Sequence, residues 1–110
     1  MGVPPGAWRG MSGVFFYMDS DVRHDEARHT FVLTVDGGQA VLHYEPVDDA
    51  TVDFQSTYVP MEWRGRGLGG RLVVHALEWA QARGMRVIPS CWFVADVVAL
   101  HPQYRPLLAT

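Results

Sequence analysis

Seven consecutive residues, Arg64-Gly65-Arg66-Gly67-Leu68-Gly69-Gly70, bring together four glycines and two arginines. Glycines let a backbone turn tightly and approach a ligand closely. The stretch lies between a segment of strand character and one of helical period, so it ends at a helix N-terminus. The first N–H groups of a helix have no intrahelical acceptor, and no Ser, Thr, Asp or Asn stands where a side chain would cap them. A phosphate or pyrophosphate satisfies such groups. Arg71 adds a third cation within eight positions, which points to a local anion site in an otherwise acidic chain.

Three readings of this loop compete. A turn that merely packs a helix on a sheet needs fewer glycines and no arginines. A Walker loop needs Gly-Lys-Ser/Thr, and here Gly70 is followed by Arg71-Leu72. A dinucleotide fingerprint fits the spacing Gly65-x-Gly67-x-x-Gly70. It lacks the acidic residue expected about 20 positions on, where Pro89-Ser90-Cys91 stands. NAD binding is therefore the weaker rival.

The elements that must position this loop follow from periodicity. Residues 30–35 and 39–45 flank Asp36-Gly37-Gly38 and read as a β-hairpin, with Ala40, Leu42 and Tyr44 on one face. Residues 46–50 form the next loop and 51–60 another strand. Leu72, Val73, Ala76, Leu77 and Ala80 recur at helical spacing, with Arg71, His75 and Glu78 opposite. That helix stops at Gly84, a favoured C′ residue. Residues 85–89 form a short strand ended by Pro89, and 93–100 form a helix broken by His101-Pro102. The order predicts an α/β (α+β) fold. Its mixed, mostly antiparallel sheet contains a strand-loop-helix-strand unit, whose helix crosses over between parallel neighbours.

Length and charge narrow the function. The chain of 110 residues, 48% hydrophobic and 19% charged, suits one folded domain. Residues 1–20, with Pro4-Pro5 and four glycines, read as a flexible leader in which Val14-Phe15-Phe16-Tyr17 is a short strand or sticky patch. Residues 21–110 are the domain. A net charge of −3 argues against nonspecific nucleic-acid or membrane binding. A lone cysteine, Cys91, excludes an intrachain disulfide or cysteine zinc site and fits a reducing cytoplasm. No motif supports a metal, and no signal or spanning segment is visible.

Arg64-x-x-Gly67-x-Gly69 resembles the pyrophosphate loop of the GNAT superfamily of acyl-CoA-dependent N-acyltransferases. The likeness continues through Thr57-Tyr58-Val59-Pro60, Val87-Ile88-Pro89-Ser90-Cys91-Trp92-Phe93-Val94 and His101-Pro102-Gln103-Tyr104. Over about residues 22–108 the chain resembles the abbreviated N-acetyltransferase-like branch of that superfamily. The resemblance implies acetyl-CoA as cosubstrate, lying where residues 52–60 and 86–90 splay apart. Backbone groups at Tyr58 and Val59 would bond the pantetheine arm, and one N–H would polarise the thioester carbonyl. The N–H groups of Arg64, Gly65, Arg66, Gly67, Leu68, Gly69 and Gly70 would hold the pyrophosphate, with Arg64, Arg66 and Arg71 adding charge.

Cys91 is the residue of the matching motif nearest the expected CoA sulfur. Its implied role is acid, nucleophile or wall of the acyl pocket. Related sequences show His-Thr-x-Val-Pro where this chain has Ser56-Thr57-Tyr58-Val59-Pro60. His43 and His101 are then the alternative bases and Tyr104 a candidate acid, although each is more simply a structural residue. Trp63 and Trp79 read as packing, and Trp92 as packing or acceptor-pocket wall. The acceptor is a small-molecule or protein amine, and the chain works as a monomer or a homodimer that completes its site. A non-catalytic CoA-binding module is the alternative.

Overall fold

Strand alternation assigns the inner face: Phe31 and Leu33, Ala40, Leu42 and Tyr44, Val52 and Phe54, and Val87 are all buried. In the computed structural model, which describes residues 22–35 and 38–109, these positions line one face of a five-stranded sheet. The strands are β1 (Val22–Asp25), β2 (Thr30–Val35), β3 (Gly38–Asp48), β4 (Thr51–Tyr58) and β5 (Arg86–Ile88), adjacent in that order. The first three pairings are antiparallel, and β4–β5 is parallel. The predicted leader and its Val14–Tyr17 segment lie outside the described residues, as do Asp36 and Gly37 of the hairpin. The hairpin's arms are confirmed by the register that sets Val35 opposite Gly38.

Two helices cover the inner face. Helix α1 (Leu68–Ala82) presents Leu72, Val73, Ala76, Leu77 and Ala80, all with no solvent exposure, and packs on β2, β3 and β4. Helix α2 (Trp92–Leu100) buries Val94, Val97 and Val98 and packs against β4 and α1. At about 25 cal/mol per Å² this burial is the main favourable term in folding. Helix α1 ends as expected, with Gly84 at φ 68° just beyond the cap. A last 3₁₀ segment, Pro102–Leu107, returns the chain to β5, where Leu108 bridges Val87 and the Ala109 N–H donates to the Val87 carbonyl at 2.8 Å.

Several boundaries differ from expectation. Residues 46–48 are not loop: β3 continues through Pro46, opposite Val52, to Asp48. Proline is tolerated there because β2 ends its pairing at His43, which leaves the Pro46 nitrogen on an edge. Strand β4 ends at Tyr58 rather than Pro60, because Pro60 precedes a 3₁₀ turn at Met61–Trp63. Helix α1 begins at Leu68, so Gly69 and Gly70 belong to its first turn instead of the loop. The second splayed limb is short, since β5 stops at Ile88, and α2 begins one residue early at Trp92.

Candidate functional site

The site grows from a fork in the sheet. Strands β4 and β5 pair at Thr51–Arg86, Val52–Val87 and Asp53–Ile88. One further bond, from the Cys91 N–H to the Phe54 carbonyl at 2.9 Å, holds the limbs together. Beyond it β4 runs on while the other limb turns away into α2. A β-bulge sets how β4 enters the fork: Tyr44 pairs with Phe54 and His43 with Ser56, leaving Gln55 as the extra residue. The bulge shifts the alternation, so Thr57 and Val59 follow Phe54 onto the helix side.

Cys91 faces Thr57 across the fork. It is the residue before α2, with 8% of its surface exposed, and its Sγ lies 3.6 Å from the Thr57 Oγ1. Above this pair opens a cleft of about 530 Å³ lined by Thr57, Val59 and Trp63, the glycine loop, Cys91, Trp92 and Phe93. The Trp92 ring is 72% exposed at its rim.

The loop forms the cleft's other wall. Gly65 and Gly67 adopt φ 82° and 79°, a left-handed conformation that costs other residues about 1–2 kcal/mol. Gly67 is the α1 N-cap, and its carbonyl accepts the first helical bond from the Arg71 N–H at 3.1 Å. No side chain caps the helix, so the N–H groups of Leu68, Gly69 and Gly70 are left for an anion or water. Gly69 is required by packing, because a Cβ there would meet Phe93 Cε2 at 2.9 Å. Gly70 has no such constraint: its φ is ordinary, and a Cβ would meet nothing within 4 Å.

The predicted site residues therefore separate. Val59, Arg64, Gly65, Gly67, Leu68, Gly69, Gly70 and Cys91 line the cleft. The Tyr58 side chain, 56% exposed, does not, because it lies on the alternate face from Thr57 and Val59. Arg64 donates through Nε to the Val59 carbonyl at 2.8 Å, which fastens the loop to the end of β4. Arg66 is exposed and lies over the Trp63 ring at 4.7 Å. Arg71 lines an adjoining apolar groove between α1 and α2, together with Val74, Trp92, Phe93, Val97 and Leu100.

The candidate bases and acid lie elsewhere. His43 pairs with Ser56 in the sheet register and bonds the Glu45 carboxylate at 3.0 Å, on the face away from the helices. Ser56, where the resemblance in sequence implies a histidine, thus points away from Cys91. His101 lies at the far end of the α1–α2 groove, and the buried Tyr104 donates its hydroxyl to Glu78 at 2.9 Å. Trp79 is a packing residue, set against Phe31, Tyr44 and His24. Trp63 instead lines the cleft. Sequence reasoning did not single out Thr57 or Phe93. Their signal was the motif around Val59-Pro60 and Cys91, but the bulge at Gln55 that turns Thr57 inward leaves no mark in residue type.

A parallel pair that forks beside a glycine-opened, uncapped helix is the GNAT arrangement implied by the sequence. The fold agrees with the solution NMR structure of a GCN5-like protein from Staphylococcus aureus, at a TM-score of 0.63 and 22% identity, over 80% of this chain and 86% of that one. The family described as GCN5-related N-acetyl-transferase matches residues 30–107. Protein NATD1 of Danio rerio is 36% identical over 87 residues, covering 76% of this chain and 79% of that protein. Protein NATD1 of Homo sapiens is 35% identical over 83 residues, 74% of each chain. The chain belongs to the GCN5-related N-acetyltransferase family. Among the described residues no cluster of His, Cys, Asp or Glu is arranged to hold a metal, and no helix is long and apolar enough to cross a membrane.

Proposed function

We propose that this protein is an acetyl-CoA-dependent N-acetyltransferase whose cosubstrate occupies the cleft between β4, the glycine loop and α2. The observation that carries the reading is Gly70. In the first turn of a helix glycine costs about 1 kcal/mol relative to alanine. Neither backbone conformation nor packing demands it here, and the space beside it is open, which leaves room for a ligand at the helix start. With the N–H groups of Leu68, Gly69 and Gly70 uncapped and these residues lining the cleft, the cradle fits a pyrophosphate.

Each residue then has a task. The N–H groups from Arg64 to Gly70 hold the pyrophosphate, and the guanidinium groups of Arg64, Arg66 and Arg71 add charge around it. The backbone at Tyr58 and Val59 aligns the pantetheine arm along the unpaired edge of β4. Since the Val59 carbonyl already accepts from Arg64, its second lone pair serves the arm. Acetyl-CoA supplies an activated acyl group to a neutral amine. Apart from Arg64, Cys91 is the titratable side chain among the described residues lining the cleft. It gives its proton to the departing sulfur and recovers one from the amine through solvent.

The test is release of free CoA in the presence of a panel of small amines and amine-bearing peptides. Transfer that falls about a hundredfold in Cys91→Ala supports the assignment. Undiminished turnover removes Cys91 from the mechanism. A second reading, a non-catalytic CoA-binding module, is favoured by the placement of His43, His101 and Tyr104 outside the cleft. It predicts CoA binding with no transfer to any amine in the panel.

A further inference from the structure

Thr57 and Cys91 come from opposite limbs of the fork, and both side chains line the cleft at hydrogen-bond distance for a sulfur contact. Two features independent of that contact direct it. The Cys91 backbone is fixed by its N–H bond to the Phe54 carbonyl, which sets the origin of the side chain. The bulge at Gln55 puts Thr57 three residues from Phe54 yet on the same face, whereas regular alternation would have placed Ser56 there. A hydroxyl that can both accept and donate is thereby held against the sulfur at the base of the cleft.

We propose that Thr57 is a positioning residue for Cys91. Its hydroxyl accepts the thiol hydrogen while Cys91 is protonated and turns to donate to the sulfur once that proton has left. The inference rests on the acetyltransferase reading for its purpose but not for its test. No covalent bond forms to Thr57. The proton given up by the thiol goes to the departing sulfur in catalysis, or to water in the free protein, and the negative charge stays on the Cys91 sulfur beside the hydroxyl. Hydrogen bonds to a charged partner are the stronger ones, so the hydroxyl holds the sulfur most firmly at the moment Cys91 has donated.

The test is the rate of Cys91 alkylation by iodoacetamide in the full chain at neutral pH. Cys91 is the single cysteine, so the label reports on it alone. Thr57→Val keeps the shape and removes the hydroxyl, and alkylation slows by about fivefold, the equivalent of one ordinary hydrogen bond. Thr57→Ser restores the hydroxyl and recovers most of the rate, which a purely space-filling role would not do. Thr57→Ala gives the same reading should the valine variant not fold. Equal rates in the hydroxyl-free variants and the unaltered protein, whether both fast or both nil, overturn the proposal.

A parallel arm adds acetyl-CoA before the reagent. Protection of Cys91 together with a Thr57 effect upholds both the pairing and the acetyltransferase reading. A Thr57 effect without protection leaves the pairing standing and counts against the reading. Protection without a Thr57 effect overturns the pairing alone.

Discussion

Gly69 and Phe93 meet so closely that a single added methyl on Gly69 would come within 2.9 Å of one ring carbon and 3.1 Å of the next. The contact seats the start of α1 against the start of α2, and so joins the glycine loop to the segment that carries Cys91. Gly69→Ala forces the ring aside and costs about 1–3 kcal/mol. Phe93→Leu in the same chain recovers part of that loss. Urea denaturation of the two single variants and the double variant checks it, and additive effects would show that the added methyl and the Phe93 ring do not meet.

Gly70, one position on, behaves in the opposite sense. Gly70→Ala leaves stability unchanged or raises it by up to about 1 kcal/mol, because alanine suits the helix and meets no neighbour. The same variant binds acetyl-CoA more weakly, because its methyl occupies the cradle. A melting curve and a binding isotherm on one preparation separate the two effects. Unchanged affinity would move the pyrophosphate away from this turn.

His24 couples stability to pH. It stacks on Phe31 with ring centroids 4.2 Å apart, meets Trp79 edge-on and bonds the Tyr44 hydroxyl. Burial holds its imidazole below the usual 6.5, against the opposing pull of Glu26, while Arg83 and His75 push the same way as burial. The unfolded chain therefore binds a proton more readily than the folded one. Stability is fully present above pH 6.5 and is lost as the pH falls through the window down to the folded value. The melting temperature drops as the pH falls below about 6.5, and His24→Gln flattens the drop. A slope identical in that variant would remove His24 as its source.

Tyr104 separates packing from chemistry. Its hydroxyl bonds Glu78 on α1 and anchors the C-terminal 3₁₀ segment. Tyr104→Phe costs about 0.5–1.5 kcal/mol in denaturation and leaves acetyl transfer unchanged. A loss of turnover larger than the loss of stability explains would return Tyr104 to the list of acids.

The fold was largely legible because its signals are local. Leu72, Val73, Ala76, Leu77 and Ala80 mark the buried face of α1, Gly84 marks its end, and Ala40, Leu42 and Tyr44 mark the inner face of β3. The parallel β4–β5 pair followed from the crossover helix between them. What sequence did not reveal depends on pairing. Pro46 stays in a strand because its nitrogen faces an edge, and Gln55 bulges because β3 and β4 slip register there. In the site, Gly67 and Cys91 were readable from spacing and motif. The reversal that turns Ser56 out and Thr57 in was not, because it follows from that one bulged residue.

The most direct measurement is a thermal-shift titration of the purified protein with acetyl-CoA, CoA and NAD. A ligand that binds the native state alone raises its stability by RT ln(1 + [L]/Kd), about 2.7 kcal/mol at a hundredfold excess over Kd. The melting temperature is expected to rise with acetyl-CoA and CoA and to stay constant with NAD. A folded protein whose melting temperature ignores acetyl-CoA would contradict the assignment of the cleft, and a rise with NAD alone would give the glycine loop to a dinucleotide.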